Sequence, residues 1–208
     1  MAPPLMRVIL ASQSEARLQV LRQAGLNPEV IVSGFDESSV HERDPKLLCA
    51  LLAEGKGRLV SDRLDDDELI VIAADTLLEF EGRIHGKPGT EEAAVELWRR
   101  MRGHTGILHT GHFIMVRKDG LEQQQVRVQT GEVNFADLSD DELRAYAATG
   151  EPVNVAGGFS IHSLAGAFVT SIVGDPYNVV GLSLPLVRQM VIDMGVKWYE
   201  LWDPVLYE

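Results

Sequence analysis

The stretch Val8–Leu18 constrains the fold most, because an apolar run gives way within a few residues to a helical pattern. We interpret it as a strand that enters a tight loop and opens a helix, with Ser14 as a candidate N-cap. Ser12 also offers a hydroxyl in this loop, and Arg17 follows in the first turns of the helix. Helix amides and a guanidinium together favour an anion site. An ordinary capped helix with a surface arginine fits the same pattern, so this stretch alone leaves both interpretations open.

The remaining chain alternates strand-like and helix-like segments. Strands are predicted over 6–10, 29–32, 69–73 with an extended continuation over 77–80, 107–116, 126–135 and 167–173. Helices are predicted over 14–24, 44–64, 90–102, 139–148 and 184–194. The alternation predicts an α/β fold, and the long hairpin with a turn at 118–120 predicts a mixed sheet. No repeat, linker or boundary interrupts the pattern, so we expect one domain over 1–208.

Local signals mark where several of these helices begin. Asp44 precedes Pro45 as a candidate N-cap, and Thr90 precedes the acidic start of another helix. The run Ser139–Glu142 resembles a capping box.

The composition limits which partners are plausible. A formal net charge of -12 disfavours nonspecific binding to nucleic acid, so any phosphate must enter a local basic pocket or arrive with a metal. Cys49 is the single cysteine and lies in an apolar helical pattern, where a buried structural role is expected. No apolar run is long enough to span a membrane and no signal-peptide layout is present, so a cytoplasmic protein is expected.

Several common catalytic motifs are absent from the sequence. There is no Walker-type phosphate loop, no dinucleotide fingerprint and no nucleophile elbow. The six histidines do not fall at zinc-ligand spacings. What remains is a set of polar residues at predicted strand ends and loops or on the predicted helices: Ser12, Arg17, Glu37, Lys56, Asp75 and Lys87. Carboxylates suit a hard cation and the basic residues suit phosphate oxygens, which together favour metal-assisted phosphoryl chemistry. Each of the charged residues, taken singly, is more often a surface charge.

Ordered short motifs extend along nearly the whole chain. In sequence order they are Leu10-Ala11-Ser12-Gln13-Ser14 with Arg17, Asp36-Glu37, Lys56, Ala74-Asp75-Thr76, Gly86-Lys87-Pro88, Gly103-His104-Thr105, Thr110-Gly111, Leu138-Ser139-Asp140, Thr149-Gly150-Glu151-Pro152, Ala156-Gly157-Gly158-Phe159 and Asn178-Val179-Val180-Gly181-Leu182. On these residues the chain resembles the Maf family of nucleoside triphosphate pyrophosphatases.

The resemblance implies a fold, a reaction and a cofactor. The fold would be elongated and two-lobed around a cleft, similar to the inosine triphosphatase-like (Maf/Ham1-type) fold of house-cleaning enzymes, often as a homodimer. The reaction would be attack of water on the α-phosphorus of a nucleoside triphosphate, dependent on Mg²⁺ or Mn²⁺, giving the monophosphate and pyrophosphate. The net charge and the lack of a long apolar run already predict no nucleic-acid or membrane partner.

The resemblance also assigns roles. Asp75 would be the general base or the group that activates the metal-bound water, and Glu37 would hold the metal with it. Lys56 and Lys87 would take part in catalysis and bind the triphosphate. Substrate binding would further involve Ser12, Ser14, Arg17 and His162.

The sequence departs from the family pattern at substrate-binding positions. The usual Ser-Pro-Arg-Arg reads Ser14-Glu15-Ala16-Arg17, and the usual Asp-Lys reads Asn154-Val155. His162 replaces the glutamine of the branch that prefers dTTP and UTP. The branch that prefers 7-methyl-GTP carries Asp-Gln where this chain has Asp75-Thr76. The chain therefore matches neither branch, and its base preference stays open.

Two other functions remain as alternatives. The departures would suit a catalytically weakened nucleotide-binding regulator, linked to cell division as the family's septum-formation name suggests. A metal-dependent phosphatase acting on monophosphates could use the same carboxylates. The apolar tail over 198–207 could dock on its own core or on a partner, and we slightly favour docking within the chain.

Overall fold

The computed structural model describes residues 6–207 as an α/β protein. The strands within these residues are β1 (Arg7–Leu10), β2 (Glu29–Val30), β3 (Leu69–Phe80), β4 (Arg83–His85), β5 (Thr105–Lys118), β6 (Leu121–Phe135) and β7 (Val169–Val173). The α-helices are α1 (Glu15–Gln23), α2 (Pro45–Ser61), α3 (Glu91–Met101), α4 (Asp140–Ala148), α5 (Pro176–Val180) and α6 (Leu184–Asp193).

The strands form a mixed sheet in the order β2-β1-β3-β5-β6-β7, and β4 pairs with β3. β1 runs parallel to β2 and β3, whereas the β3–β4 and β6–β7 pairs are antiparallel. The tight turn between β5 and β6 has positive φ at Asp119 (52°) and Gly120 (74°), as a primed hairpin turn requires. The α/β class and the mixed sheet predicted from the sequence are confirmed.

The chain divides into two compact units that each draw on separated segments. Among the described residues, unit 1 contains 6–75, 110–129 and 181–207, and unit 2 contains 76–109 and 130–180.

In unit 1, helix α2 packs very closely against the sheet. A Cβ atom at Gly57 would lie 2.0 Å from the Phe113 ring, and one at Gly111 would lie 2.2 Å from the Cys49 carbonyl oxygen. Only glycine permits such approaches, because side chains on either surface would hold the elements apart. Cys49 is fully buried, as predicted, and burial raises the pKa of its thiol to about 12.

The core of unit 2 is built around Trp98 of α3. Its ring meets Phe135, Tyr146 and Phe168 edge-on at centroid distances of 5.3, 5.6 and 5.8 Å, which is a favoured aromatic geometry. The indole Nε1 donates to the carbonyl of Gly158 at 2.8 Å, so this buried polar group is satisfied.

The predicted helix starts are confirmed. Asp44 accepts from the amides of Lys46 and Leu47, Thr90 accepts from the amide of Ala93, and both hydrogen bonds of the Ser139–Glu142 capping box are present.

Several predicted element ends are wrong. Helix α2 stops at Ser61 rather than near Leu64, because the amides of Arg63 and Leu64 make i→i−3 bonds instead of continuing the α-helical pattern. Strand β2 covers only 29–30, since its partner β1 ends at Leu10. β5 and β6 extend further towards their shared turn than predicted, because pairing beside a tight turn does not require an apolar face.

Three further segments differ from the prediction. β3 continues unbroken from Leu69 to Phe80, so Asp75 lies within a strand and not at its end. The predicted start of β7 forms a 3₁₀ helix (Leu164–Phe168) instead, and α5 is an additional short helix.

The start of the C-terminal tail docks on unit 1. Leu201 is buried, the Asp203 amide donates to the Gly25 carbonyl at 2.8 Å, and Asn27 donates to the Asp203 carboxylate at 3.0 Å. Docking within the chain is therefore correct as far as Asp203, whereas Val205 and Leu206 are exposed.

Candidate active site

Unit 1 gathers two carboxylates around one ammonium group. Lys56 Nζ lies 2.5 Å from Asp75 Oδ1 and 2.7 Å from Glu37 Oε1. The side chains of Lys56 and Asp75 are only 14% and 11% exposed, whereas that of Glu37 is 58% exposed. The cluster therefore reaches from the interior of the unit to its surface, with the lysine shared between the two acids.

Close packing of α2 holds Lys56 in this position. Its neighbours Gly55 and Gly57 lie against the rings of Phe35 and Phe113, where a Cβ atom would come within 2.4 and 2.0 Å. The lysine is thus carried on a helix that cannot shift without disturbing one of these two aromatic contacts.

Glu37 begins a short 3₁₀ helix (Glu37–Ser39) that Asp36 caps. Asp36 Oδ1 accepts from the Ser38 amide at 3.1 Å and from the Ser38 hydroxyl at 2.6 Å. Asp36 therefore shapes the loop that positions Glu37, which gives the first residue of the Asp36-Glu37 motif a structural role.

The loop before α1 brings Ser12, Ser14 and Arg17 together. Ser12 Oγ accepts hydrogen bonds from the Ser14 amide at 3.1 Å and from Arg17 Nη1 at 3.2 Å. With both acceptor positions of its oxygen used, the Ser12 hydroxyl hydrogen is available for donation. Ser14 Oγ accepts from the Arg17 amide at 3.4 Å as the N-cap of α1, as predicted.

Burial and neighbouring charges both act on this cluster. Burial raises the pKa of Asp75 above its ordinary value, against the opposing effect of Lys56 and Arg17. Burial lowers the pKa of Arg17, and the nearby carboxylates of Asp75 and Glu37 counteract that shift. The electrostatic coupling of Arg17 to both acids indicates that these four residues belong to one site.

Two long-range contacts of this site, one partly buried and one buried, have no local sequence signal. Arg17 Nε donates to the Gly181 carbonyl at 2.7 Å, and the Ser183 amide donates to His112 Nε2 at 2.8 Å. Burial lowers the pKa of His112 to about 4, and the positive charge of Arg17 adds to the shift. His112 lies in a strand that is buried on both faces, so no periodic pattern distinguishes it from a core residue.

Lys87 and His162 lie in unit 2, both exposed. Backbone hydrogen bonds hold the loop of Lys87 at its two ends, from the Gly157 amide to Gly86 and from the Gly89 amide to Val153, each at 3.0 Å. Within residues 6–207 the Lys87 ammonium has no ion-pair partner.

Glu151 organises the segment that follows His162. Its carboxylate accepts from the amides of Leu164 and Ala165 at 3.1 and 3.3 Å, and from the Tyr146 hydroxyl at 3.0 Å. In the motif Thr149-Gly150-Glu151-Pro152, the Glu151 side chain therefore holds the backbone of the loop that follows His162.

Unit 2 also contains a polar network that the sequence did not reveal. His109 is 2% exposed; its Nε2 lies 2.9 Å from Glu79 and its Nδ1 lies 3.0 Å from the Thr130 hydroxyl. The three residues come from three strands, so their proximity depends on strand register.

Neither a preformed metal cage nor a membrane helix occurs in the described part of the chain. Among residues 6–207, no three or more His, Cys, Asp or Glu side chains are grouped to hold a metal ion. None of the helices there combines the length and apolarity needed to cross a membrane.

Comparison with known proteins decides the family. The sequence profile described as Maf-like protein matches residues 7–194. This chain belongs to the Maf-like family. The Maf-like chain is 48% identical to a nucleoside triphosphate pyrophosphatase of Cutibacterium acnes, over 94% of each chain. It is 43% identical to a protein of the same name from Streptomyces coelicolor, over 97% of each chain.

A solved structure is also similar to this Maf-like protein. The Ham1 protein of Staphylococcus aureus matches with a TM-score of 0.48 and 13% identity, over 90% of this chain and 99% of that chain.

Proposed function

We propose that this protein hydrolyses a nucleoside triphosphate, standard or modified, to the monophosphate and pyrophosphate by attack of water on the α-phosphorus. The observation that carries the proposal is the buried Asp75 carboxylate, held 2.5 Å from Lys56 and electrostatically coupled to Arg17. A base and two cations in one cluster suit phosphoryl chemistry, which depends on positioning and charge neutralisation. The name shared by the curated relatives agrees with this reaction.

Each residue of unit 1 has a distinct proposed task. Asp75 accepts the proton of the attacking water, and its raised pKa brings it nearer to neutral pH, where a base works best. Lys56 holds the Asp75 carboxylate in place and neutralises charge on the phosphate. Arg17 and Ser12 donate hydrogen bonds to phosphate oxygens, and Ser14 assists at the same helix start.

We propose Mg²⁺ or Mn²⁺ as the cofactor, held by Asp75 and Glu37. The donor set fits, because two carboxylate oxygens already converge on one cation, the Lys56 ammonium. The cluster of Asp75, Glu37, Lys56 and Arg17 is also formally neutral, so a triphosphate needs additional positive charge here. When bound, the divalent cation supplies that charge and lowers the pKa of its water.

In unit 2, we propose that Lys87 binds the triphosphate and supports catalysis, and that His162 contributes to substrate binding. An exposed ammonium without an ion-pair partner is suited to an incoming anion.

We further propose that substrate choice differs from both family branches at the start of α1. Ala16 supplies no guanidinium, whereas the Glu15 carboxylate accepts from Gln19 at 2.6 Å along the helix surface. The absence of this charged hydrogen bond weakens binding of the triphosphates preferred by the branch that carries the arginine, by about 1.5–3 kcal/mol.

The decisive experiment measures pyrophosphate release from a panel of standard and modified triphosphates with Mg²⁺ or Mn²⁺, before and after chelation. Asp75→Asn should abolish turnover, whereas the matched control Asp141→Asn, at a side chain 96% exposed, should retain it. Turnover that survives Asp75→Asn would refute the proposal.

The products separate this proposal from the two alternatives. Direct release of orthophosphate from a monophosphate would indicate the phosphatase. Tight nucleotide binding by calorimetry without turnover would indicate the regulator.

A further inference from the structure

The turn over 181–183 in unit 1 is held by two side chains, the partly buried Arg17 and the fully buried His112. Arg17 donates from Nε to the Gly181 carbonyl at 2.7 Å, and His112 accepts at Nε2 from the Ser183 amide at 2.8 Å. Gly181 has φ of 101°, a conformation that side chains rarely permit. The carbonyl that Arg17 contacts thus belongs to a residue with positive φ. Two residues later, the hydrogen bond to His112 fixes the same turn.

We propose that His112 is a positioning residue for the reaction: it fixes this turn and thereby sets the orientation of the Arg17 guanidinium towards phosphate. The inference rests on the proposed function, in which Arg17 binds the triphosphate. His112 itself touches no substrate in this proposal and acts through the backbone of 181–183.

The chemistry of a buried neutral histidine fits this task. An imidazole nitrogen that accepts from an amide must be unprotonated, so the proton resides on Nδ1. His112 is fully buried beside the positive charge of Arg17, and both conditions favour the neutral ring. His112 Nε2 therefore remains a hydrogen-bond acceptor for the Ser183 amide across the physiological pH range.

Losing the acceptor has a defined consequence for the turn. The Ser183 amide would be left buried without a partner, and such a group drives local rearrangement. Ser183 is also the N-cap of α6, accepting from the Leu186 amide at 3.3 Å, so the helix start would shift with it. Movement of the turn would displace the Gly181 carbonyl, so the guanidinium would lose its Nε hydrogen bond, one of the contacts that orient it alongside the Nη1 contact to Ser12.

The first test does not depend on turnover. The ¹H–¹⁵N signal of Arg17 Nε–H, assigned by its loss in Arg17→Lys, reports the hydrogen bond to Gly181. We expect solvent exchange of this proton to be about tenfold or more faster in His112→Leu and His112→Asn, and within about threefold of the wild type in His112→Gln, whose amide oxygen reaches the position of Nε2. Met115→Ala, a buried change on the same strand, should leave it protected. Unchanged exchange in His112→Asn or His112→Leu would overturn the proposal.

The second test is a double-mutant cycle on pyrophosphate release. His112→Leu should lower kcat/KM by about 10–100-fold, mostly through KM, and the same change in an Arg17→Ala background should have little further effect. Additive losses would show that His112 does not act through Arg17 and would refute the proposal. Absence of turnover in the wild type would instead refute the proposed function, and the exchange measurement would still decide the role of His112.

Discussion

Lys56 in unit 1 and Lys87 in unit 2 are presented in opposite ways. Lys56 is 14% exposed and shared by two carboxylates, whereas Lys87 is exposed and has no ion-pair partner among the described residues. The Lys56 ammonium is held in place before substrate binds, and its charge also stabilises the folded state by neutralising a buried carboxylate. The Lys87 ammonium can respond to a ligand without a cost to folding.

The contacts that position the two lysines also differ: those of Lys56 are buried, whereas those of Lys87 are at the surface. Lys56 depends on the close contact of α2 with the sheet, where Gly111 meets the backbone of Cys49. Lys87 depends on two backbone hydrogen bonds of an exposed loop. Substitutions that disturb Lys56 or the packing of α2 should therefore affect stability and activity together, and those near Lys87 should affect activity alone.

A pair of glycine substitutions gives the largest expected difference. In Gly111→Ala, the new Cβ would lie 2.2 Å from the Cys49 carbonyl oxygen, and neither backbone can yield easily. We expect a loss of about 3 kcal/mol or more in the free energy of unfolding by denaturant titration, at the upper end of overpacking effects. Gly86→Ala, beside Lys87, meets nothing within 4 Å and should change stability by less than about 0.5 kcal/mol. Equal losses in the two variants would contradict the contrast between the supports.

The lysines themselves should differ nearly as much. Lys56→Met leaves Asp75 buried without its ammonium partner and should lower the free energy of unfolding by about 3 kcal/mol near pH 8. Lys87→Met should remain within about 0.5 kcal/mol of the wild type, although both variants should lose pyrophosphatase activity.

Arg58→Met provides the control for Lys56→Met on the same helix. Arg58 pairs with Glu54 at the surface, with a side chain 56% exposed, and its removal should have little effect on stability. A similar loss in both helix variants would indicate a general effect of removing positive charge from α2.

The buried histidine of unit 1 should make stability depend on pH. The pKa of His112 is lowered to about 4 from an ordinary 6.5, so the unfolded chain binds the extra proton in this interval. The wild type should therefore lose up to about 3 kcal/mol relative to His112→Gln as the pH falls from 7 to 4. His162→Gln in unit 2 controls for removal of a histidine, and the readout is the unfolding free energy at each pH.

Asp75 acts on stability in the opposite direction. Its pKa is raised in the folded state, so its contribution becomes less favourable as the pH rises above the ordinary carboxyl range. Asp75 is present in both the wild type and His112→Gln, so the difference in stability between these two proteins reports His112 alone.

A stability difference between His112→Gln and the wild type that does not change with pH would contradict the prediction for His112, because it would exclude a buried neutral ring.

Features encoded by neighbouring residues were predictable from the sequence. The caps at Asp44, Thr90 and Ser139 depend on side chains that bond to amides two or three residues onward. The strand–loop–helix start at Ser12 and Ser14 is of the same kind. Such signals do not depend on the rest of the fold, and each of them was correct.

Features set by contacts between distant residues were not predictable. Arg17 and Gly181 are 164 residues apart, and His112 and Ser183 are 71 apart. Asp75 was expected at a strand end because a carboxylate rarely lies within a buried strand. The ion pair with Lys56 allows the Asp75 carboxylate to lie within the buried strand β3. Lys56 lies on another element, so the sequence of the strand gives no sign of this partner.

The smallest expected effect separates the two tasks assigned to Ser14. Ser14→Ala removes the N-cap of α1 and should cost about 0.5–1 kcal/mol, no more than Ser139→Ala, which breaks a capping box in unit 2. Ser14→Asp keeps a good capping oxygen, so stability should stay within about 0.5 kcal/mol of the wild type. Its added negative charge should nevertheless raise KM for a triphosphate if Ser14 lies at the phosphate. Unchanged KM in Ser14→Asp would restrict Ser14 to capping and leave Ser12 and Arg17 as the phosphate ligands of this helix start.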